Sequence, residues 1–138
     1  MMSIPATIPG YRLFLVLFGL YGAIWIVLEG NLLRVIGLGL FAAGLILLTV
    51  IQRRWAGRSL SSRRWLVLCA VGGLWLGLGG AMLTLLFMAL KSGLHAHGWE
   101  YSVAETQWMV QQLPIWGVSG LLLGVGVGLI SAGWRRRS

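Results

Sequence analysis

The sequence predicts an all-α integral membrane protein: a four-helix bundle of two antiparallel helical hairpins, with a short amphipathic interfacial helix between helices three and four. Three observations point there. The 138 residues are 58% hydrophobic and 10% charged, with a mean hydropathy of +0.86, well outside the soluble globular range. The apolar residues gather into four runs, each close to the roughly 20 residues that cross a hydrocarbon core. The basic residues cluster beside alternate connections between those runs, which is how membrane orientation is encoded. The 21 glycines and eight tryptophans agree, since glycine permits close helix contact in a bilayer and tryptophan favours its interfaces. The chain 1–138 reads as a single transmembrane domain.

Residues 1–10 (MMSIPATIPG) hold two prolines and no periodicity, so they read as an irregular lead-in. The first helix covers about 11–28. It is followed by Leu28-Glu29-Gly30-Asn31 and not by a small-residue cleavage site, so it reads as an uncleaved span and not as a signal peptide. The second helix covers 32–51, and so short a connection makes the first pair a tight hairpin. A polar loop follows with Arg53, Arg54, Arg58, Arg63 and Arg64, flanked by Trp55 and Trp65. The third helix, 65–90, is slightly longer than a bilayer requires.

Residues 91–114 form the one long polar interruption. Within it Ser102 and Glu105 fit a capping box. Val103, Thr106, Met109, Val110 and Leu113 then share one face of a short helix expected to lie along the membrane surface or roof the bundle. Pro114, with its fixed φ, opens the fourth helix at 115–133, and Trp134 with three arginines ends the chain. A faint repeat, Arg12-x-x-Leu15-Val16-Leu17 against Arg63-x-x-Leu66-Val67-Leu68, is compatible with a duplicated hairpin.

Four spans place Arg12, the five loop arginines and the three terminal arginines on one side. Arg34, Lys91 and all three acids, Glu29, Glu100 and Glu105, fall on the other. The positive-inside rule makes the arginine side cytoplasmic, so both termini are expected there, in a bacterial inner membrane. A net charge of +8 would point to nucleic acid in a soluble protein. Here nine of the eleven basic residues adjoin apolar runs, so the expected partner is the lipid bilayer and no nucleic acid. The lone Cys69 excludes an intrachain disulfide or a CxxC pair.

Small residues at intervals of four mark packing stripes: Gly73, Gly77 and Ala81 on the third helix, and Gly120, Gly124 and Gly128 on the fourth. Such stripes either hold the bundle together or receive a second copy or a membrane-complex partner. The constellation that could carry chemistry is His95-Ala96-His97 with Glu100, two imidazoles and a carboxylate able to hold zinc, copper or nickel. The plainer reading makes them polar residues at a helix end. Glu29 and Arg34 bracket the first turn and are placed to pair with each other or with the long polar segment.

No acid, lysine or histidine falls within the four expected spans, whereas proton- or ion-coupled transport normally needs one. The chain also lacks the membrane-embedded glutamate of small multidrug exporters, the bundle histidines of di-haem cytochromes and the cysteine pairs of quinone-linked thiol oxidases. An enzyme would need a nucleophile or acid–base pair in a pocket, and only His95, His97, Glu100, Tyr101 and Glu29 are available, all on one side; this leans away from catalysis, and no cofactor is expected beyond the zinc, copper or nickel named above. The expected function is a non-catalytic accessory or scaffold subunit packing against a membrane partner; the alternative is metal binding or handling through His95, His97 and Glu100.

Overall fold

The computed structural model of the chain describes residues 2–5, 7, 9–28, 30–94 and 100–134. The fold is all-α, with four helices: α1 (Tyr11–Val27), α2 (Leu32–Trp55), α3 (Ser62–Leu94) and α4 (Val103–Trp134). The last three are long and apolar enough to cross a membrane, while α1 is a shorter apolar helix of 17 residues.

Each helix start has a local cause. Gly10 sits at φ 78° ahead of α1, a left-handed turn that glycine adopts without steric cost. The Asn31 side chain accepts from the Arg34 N–H at 3.3 Å and the Ser61 hydroxyl from the Arg64 N–H at 3.4 Å, capping α2 and α3. At α4 the capping box is complete. The Glu105 N–H donates to Ser102 Oγ (3.1 Å) and the Ser102 N–H to Glu105 Oε2 (2.8 Å).

Three expectations change. Among the described residues no separate interfacial helix stands between the third and fourth spans, because α4 runs unbroken from Val103 to Trp134 with Pro114 inside it. The capping box starts the helix, and proline at position 114 removes a single intrahelical bond, a loss that long apolar helices tolerate. At a rise of 1.5 Å per residue, 32 residues extend about 48 Å, well beyond a hydrocarbon core of about 30 Å. The polar first turns of α4 therefore continue the helix axis and do not lie flat across it. Helices α2 and α3 likewise outrun 32–51 and 65–90, since backbone bonding continues into polar residues that a hydropathy pattern excludes.

The third change is at the N-terminus, where Met2–Ser3 pairs antiparallel with Ser59–Leu60 (β1 and β2) in the register Met2 to Leu60 and Ser3 to Ser59. Gly57, at φ 71°, turns the chain out of α2. Its N–H donates to the Ile4 carbonyl, and the Ile4 N–H donates to the Arg58 carbonyl, both at 3.0 Å. Ile4 and Leu60 are buried there.

The helices pack antiparallel in chain order, with α1 on α2, α2 on α3 and α3 on α4. Between α1 and α2, Phe14 and Phe18 meet Phe41 at ring-centroid distances of 5.0 and 5.6 Å, and the Tyr11 hydroxyl meets that of Thr49 at 2.7 Å. Between α2 and α3, a methyl group added at Gly39 would collide with Thr84 and Gly80, so two backbones nearly touch. Trp75 Nε1 donates to the Ala43 carbonyl at 2.9 Å across the same seam. Trp75 also opens a π-helical turn, Trp75–Gly79, that interrupts α3 without ending it.

Between α3 and α4, the contact runs along Gly73, Gly77, Gly120, Gly124 and Gly128. A Cβ at Gly73 would lie 2.8 Å from the Gly124 Cα, and one at Gly120 would lie 3.0 Å from the Gly77 nitrogen. In apolar surroundings such backbone contact replaces the hydrophobic drive that lipid does not provide. Ala81 lies apart from this seam, in a cluster with Trp25, Val35, Leu38, Met88, Tyr101 and Met109 that forms the core near the acidic end of the molecule.

Candidate functional site

Lys91 is the centre of that end. Its side chain is 1% exposed, yet it is ionisable and near the end of a long apolar helix. The cause is helical spacing: Ala81, Thr84, Met88 and Lys91 recur every three or four residues, and all four are buried on one face of α3. The ammonium donates to the Trp25 carbonyl at 3.1 Å and to the Leu28 carbonyl. It stands 5.0 Å from the centroid of the Trp25 ring and 3.1 Å from Glu100 Oε2.

Each partner answers a specific need. The last carbonyls of α1 have no intrahelical donor and carry the negative end of the helix dipole, so a cation there satisfies both. A buried ammonium without a carboxylate would cost several kcal/mol, of which Glu100 offsets much. The Trp25 ring adds a cation–π contact. Together these tie the end of α1, the end of α3 and the start of the segment entering α4. Gly30 completes the fit: a Cβ there would lie 3.0 Å from Glu100 Oε2 and 3.1 Å from its carbonyl oxygen. Only a glycine turn between α1 and α2 leaves room for this corner.

Next to the pair, Tyr101 is 3% exposed within the core cluster. Burial pushes its phenol above the usual range, Glu100 and Glu105 act the same way, and the Trp25 side chain acts against them.

The candidate ligands fare unequally. Glu100 is held by Lys91. His95 and His97 lie outside the described residues, as does Glu29. Among the described residues no three His, Cys, Asp or Glu side chains come together. Arg34 takes part through its backbone, its N–H capped by Asn31 and its carbonyl accepting the Tyr21 hydroxyl at 3.0 Å. Sequence reasoning counted Lys91 only as a charge; its place on the Ala81–Thr84–Met88 face was the signal available.

The opposite end has a second feature. Helices α2 and α4 both rest on α3 and leave an apolar slot of about 480 Å³ between them. Leu47, Leu48 and Ile51 form one wall, Leu123 and Val127 the other, and Gly72, Gly73 and Leu76 the floor; Ile4 and Pro5 also line it. Comparison of the chain with protein-family models, curated proteins and solved structures yields no match.

Proposed function

We propose that the protein is a non-catalytic, multi-pass membrane protein, an accessory or scaffold subunit that packs against a helix of a membrane partner. In this reading all four helices span a bacterial inner membrane as two antiparallel hairpins, with the arginine end and both termini in the cytoplasm. The observation that carries it is how the ionisable side chains are used. Lys91 and Glu100 hold helix ends together, and Glu105 caps α4. Among the described residues these three acid–base groups are thereby committed to architecture, whereas the slot between α2 and α4 offers an apolar seat for a helix. Its lining of Leu47, Leu48, Ile51, Leu76, Leu123 and Val127 is apolar, a surface for the van der Waals packing that drives helix association in lipid, and its volume of about 480 Å³ is within the range of binding clefts.

Filling the slot tests this. Leu47→Trp and Leu123→Trp should each convert the assembly seen in mild detergent extracts of native membranes into the free chain, with the fold retained by circular dichroism. A wild-type chain that is extracted alone, or an assembly that both variants leave intact, would overturn the proposal. Metal handling remains the second reading, on His95 and His97; the engagement of Glu100 by a buried ammonium speaks against that carboxylate as the third ligand.

A further inference from the structure

We infer that the arginine end carries a site for an anionic phospholipid, with the headgroup phosphate between Arg58 and Arg64 and one acyl chain along Val67 and Val71 of α3. This rests on the membrane reading above and adds a ligand separate from the partner helix. A second cavity, of about 470 Å³, opens on the side of α3 away from the slot floor. Its polar lining residues lie together: Arg58, Ser59 and Arg64 stand with Trp55 and Leu60 at one end, and only Val67, Leu68 and Val71 continue along the helix.

The order follows from chain geometry. Arg64, Val67, Leu68 and Val71 are spaced at i, i+3, i+4 and i+7, so the guanidinium of Arg64 heads an apolar strip on one helix face. Arg58 is brought beside it by the Gly57 turn and the β1–β2 pairing. Its backbone is fixed on both sides, its N–H donating to the Trp55 carbonyl and its carbonyl accepting from Ile4, each at 3.0 Å. Val67 and Val71 are more than half exposed, so the strip faces outward at the depth where lipid chains run.

Charge decides which amphiphile fits. Among the described residues the acidic side chains are Glu100 and Glu105, both at the opposite end, so neither carboxylate is at hand for these arginines. Planar guanidinium groups pair with phosphate oxygens in a forked geometry that a single ammonium cannot match. A zwitterionic lipid would bring its own cation to the same rim. A free anion would use the rim alone and leave the apolar strip unexplained.

The test uses the full chain in a neutral detergent, titrated with phosphatidylglycerol or with phosphatidylcholine of the same chain length, and read by native mass spectrometry. Arg58→Gln/Arg64→Gln should weaken phosphatidylglycerol binding by at least about 30-fold, the loss of two charge-assisted contacts to one phosphate. Arg53→Gln/Arg54→Gln removes the same charge from the same end without touching the cavity, and should stay within about twofold of wild type. Val71→Trp fills the strip, keeps the charge, and should weaken binding as the first pair does. Equal losses from both arginine pairs would show diffuse attraction only and overturn the site. So would full binding by Val71→Trp, competition by inorganic phosphate at lipid-like concentrations, or equal affinity for the two lipids. Carbonate extraction of cell membranes separates the two levels. A chain released as soluble protein defeats the membrane reading, whereas one that stays integral but fails the titration defeats only the lipid site.

Discussion

Lys91 is fixed between two carbonyls, an indole and a carboxylate, and so joins the ends of two helices to the segment that enters a third. Removing one member of a buried ion pair strands its partner, at a typical cost of about 3–5 kcal/mol. Lys91→Met should therefore destabilise strongly in detergent unfolding, and Lys91→Met/Glu100→Gln should recover part of the loss. A neutral single variant would mean that Lys91 does not hold the end of α1. Tyr101 adds a pH signature. Its proton is bound more tightly in the folded state, so its contribution is intact below the unfolded value of about 10 and is lost as pH rises through the raised one. Stability should decline in strong alkali, and Tyr101→Phe should flatten part of that decline. The sequence disclosed the capping box at Ser102 and Glu105, whose partners lie three residues apart. It did not disclose the pairing of Lys91 with Trp25 and Leu28, because no local rule relates residues more than sixty positions apart.

At the level of elements, the α3–α4 contact offers an internal control. Gly124 lies against Cys69 and Gly73, while Gly126, two residues on, has open space where a side chain would go. Gly124→Leu should cost at least about 1–3 kcal/mol from overpacking, and Gly126→Leu should cost little. Equal effects would place the contact elsewhere. The continuity of α4 should show in hydrogen exchange: amides of Trp108–Leu113 and of Ile115–Gly120 should be protected as one helix, with no fast-exchanging break at Pro114. The helices were legible because apolar runs and caps are local signals. Their lengths were not, since hydropathy marks where lipid begins and ends and says nothing of where backbone bonding stops. Pro114 read as a beginning because proline favours first turns, but the capping box twelve residues earlier had already started the helix.

For the molecule as a whole, the proposed topology is open to direct reading. Reporter fusions after Ser61 and after Ser138 should report the cytoplasm, and one after Gly98 the opposite side; a cytoplasmic signal at Gly98 would remove the four-span arrangement. The structure contributes two contacts at the arginine end that composition alone could not supply. The N-terminal segment pairs with the α2–α3 connection through Ile4, Gly57 and Arg58. Trp65 Nε1, in the first turn of α3, donates to Ser131 Oγ near the end of α4 at 2.8 Å. The slot between α2 and α4 was also illegible beforehand, because it depends on which helices share α3 and which do not meet.

The π turn at Trp75–Gly79 gives α3 the character of a helix carrying one surplus residue. Deleting a single residue there, for example Leu78, would let the segment relax to ordinary α-helix with the phase between its two halves kept, whereas the same deletion in a regular stretch would rotate the remainder by roughly 100°. Gly73 would keep its place against α4, and Ala81, Thr84, Met88 and Lys91 would keep theirs on the core face. The turn thus marks the place where the helix tolerates a change of length, between one half that meets its neighbour through glycine and another that does so through charge.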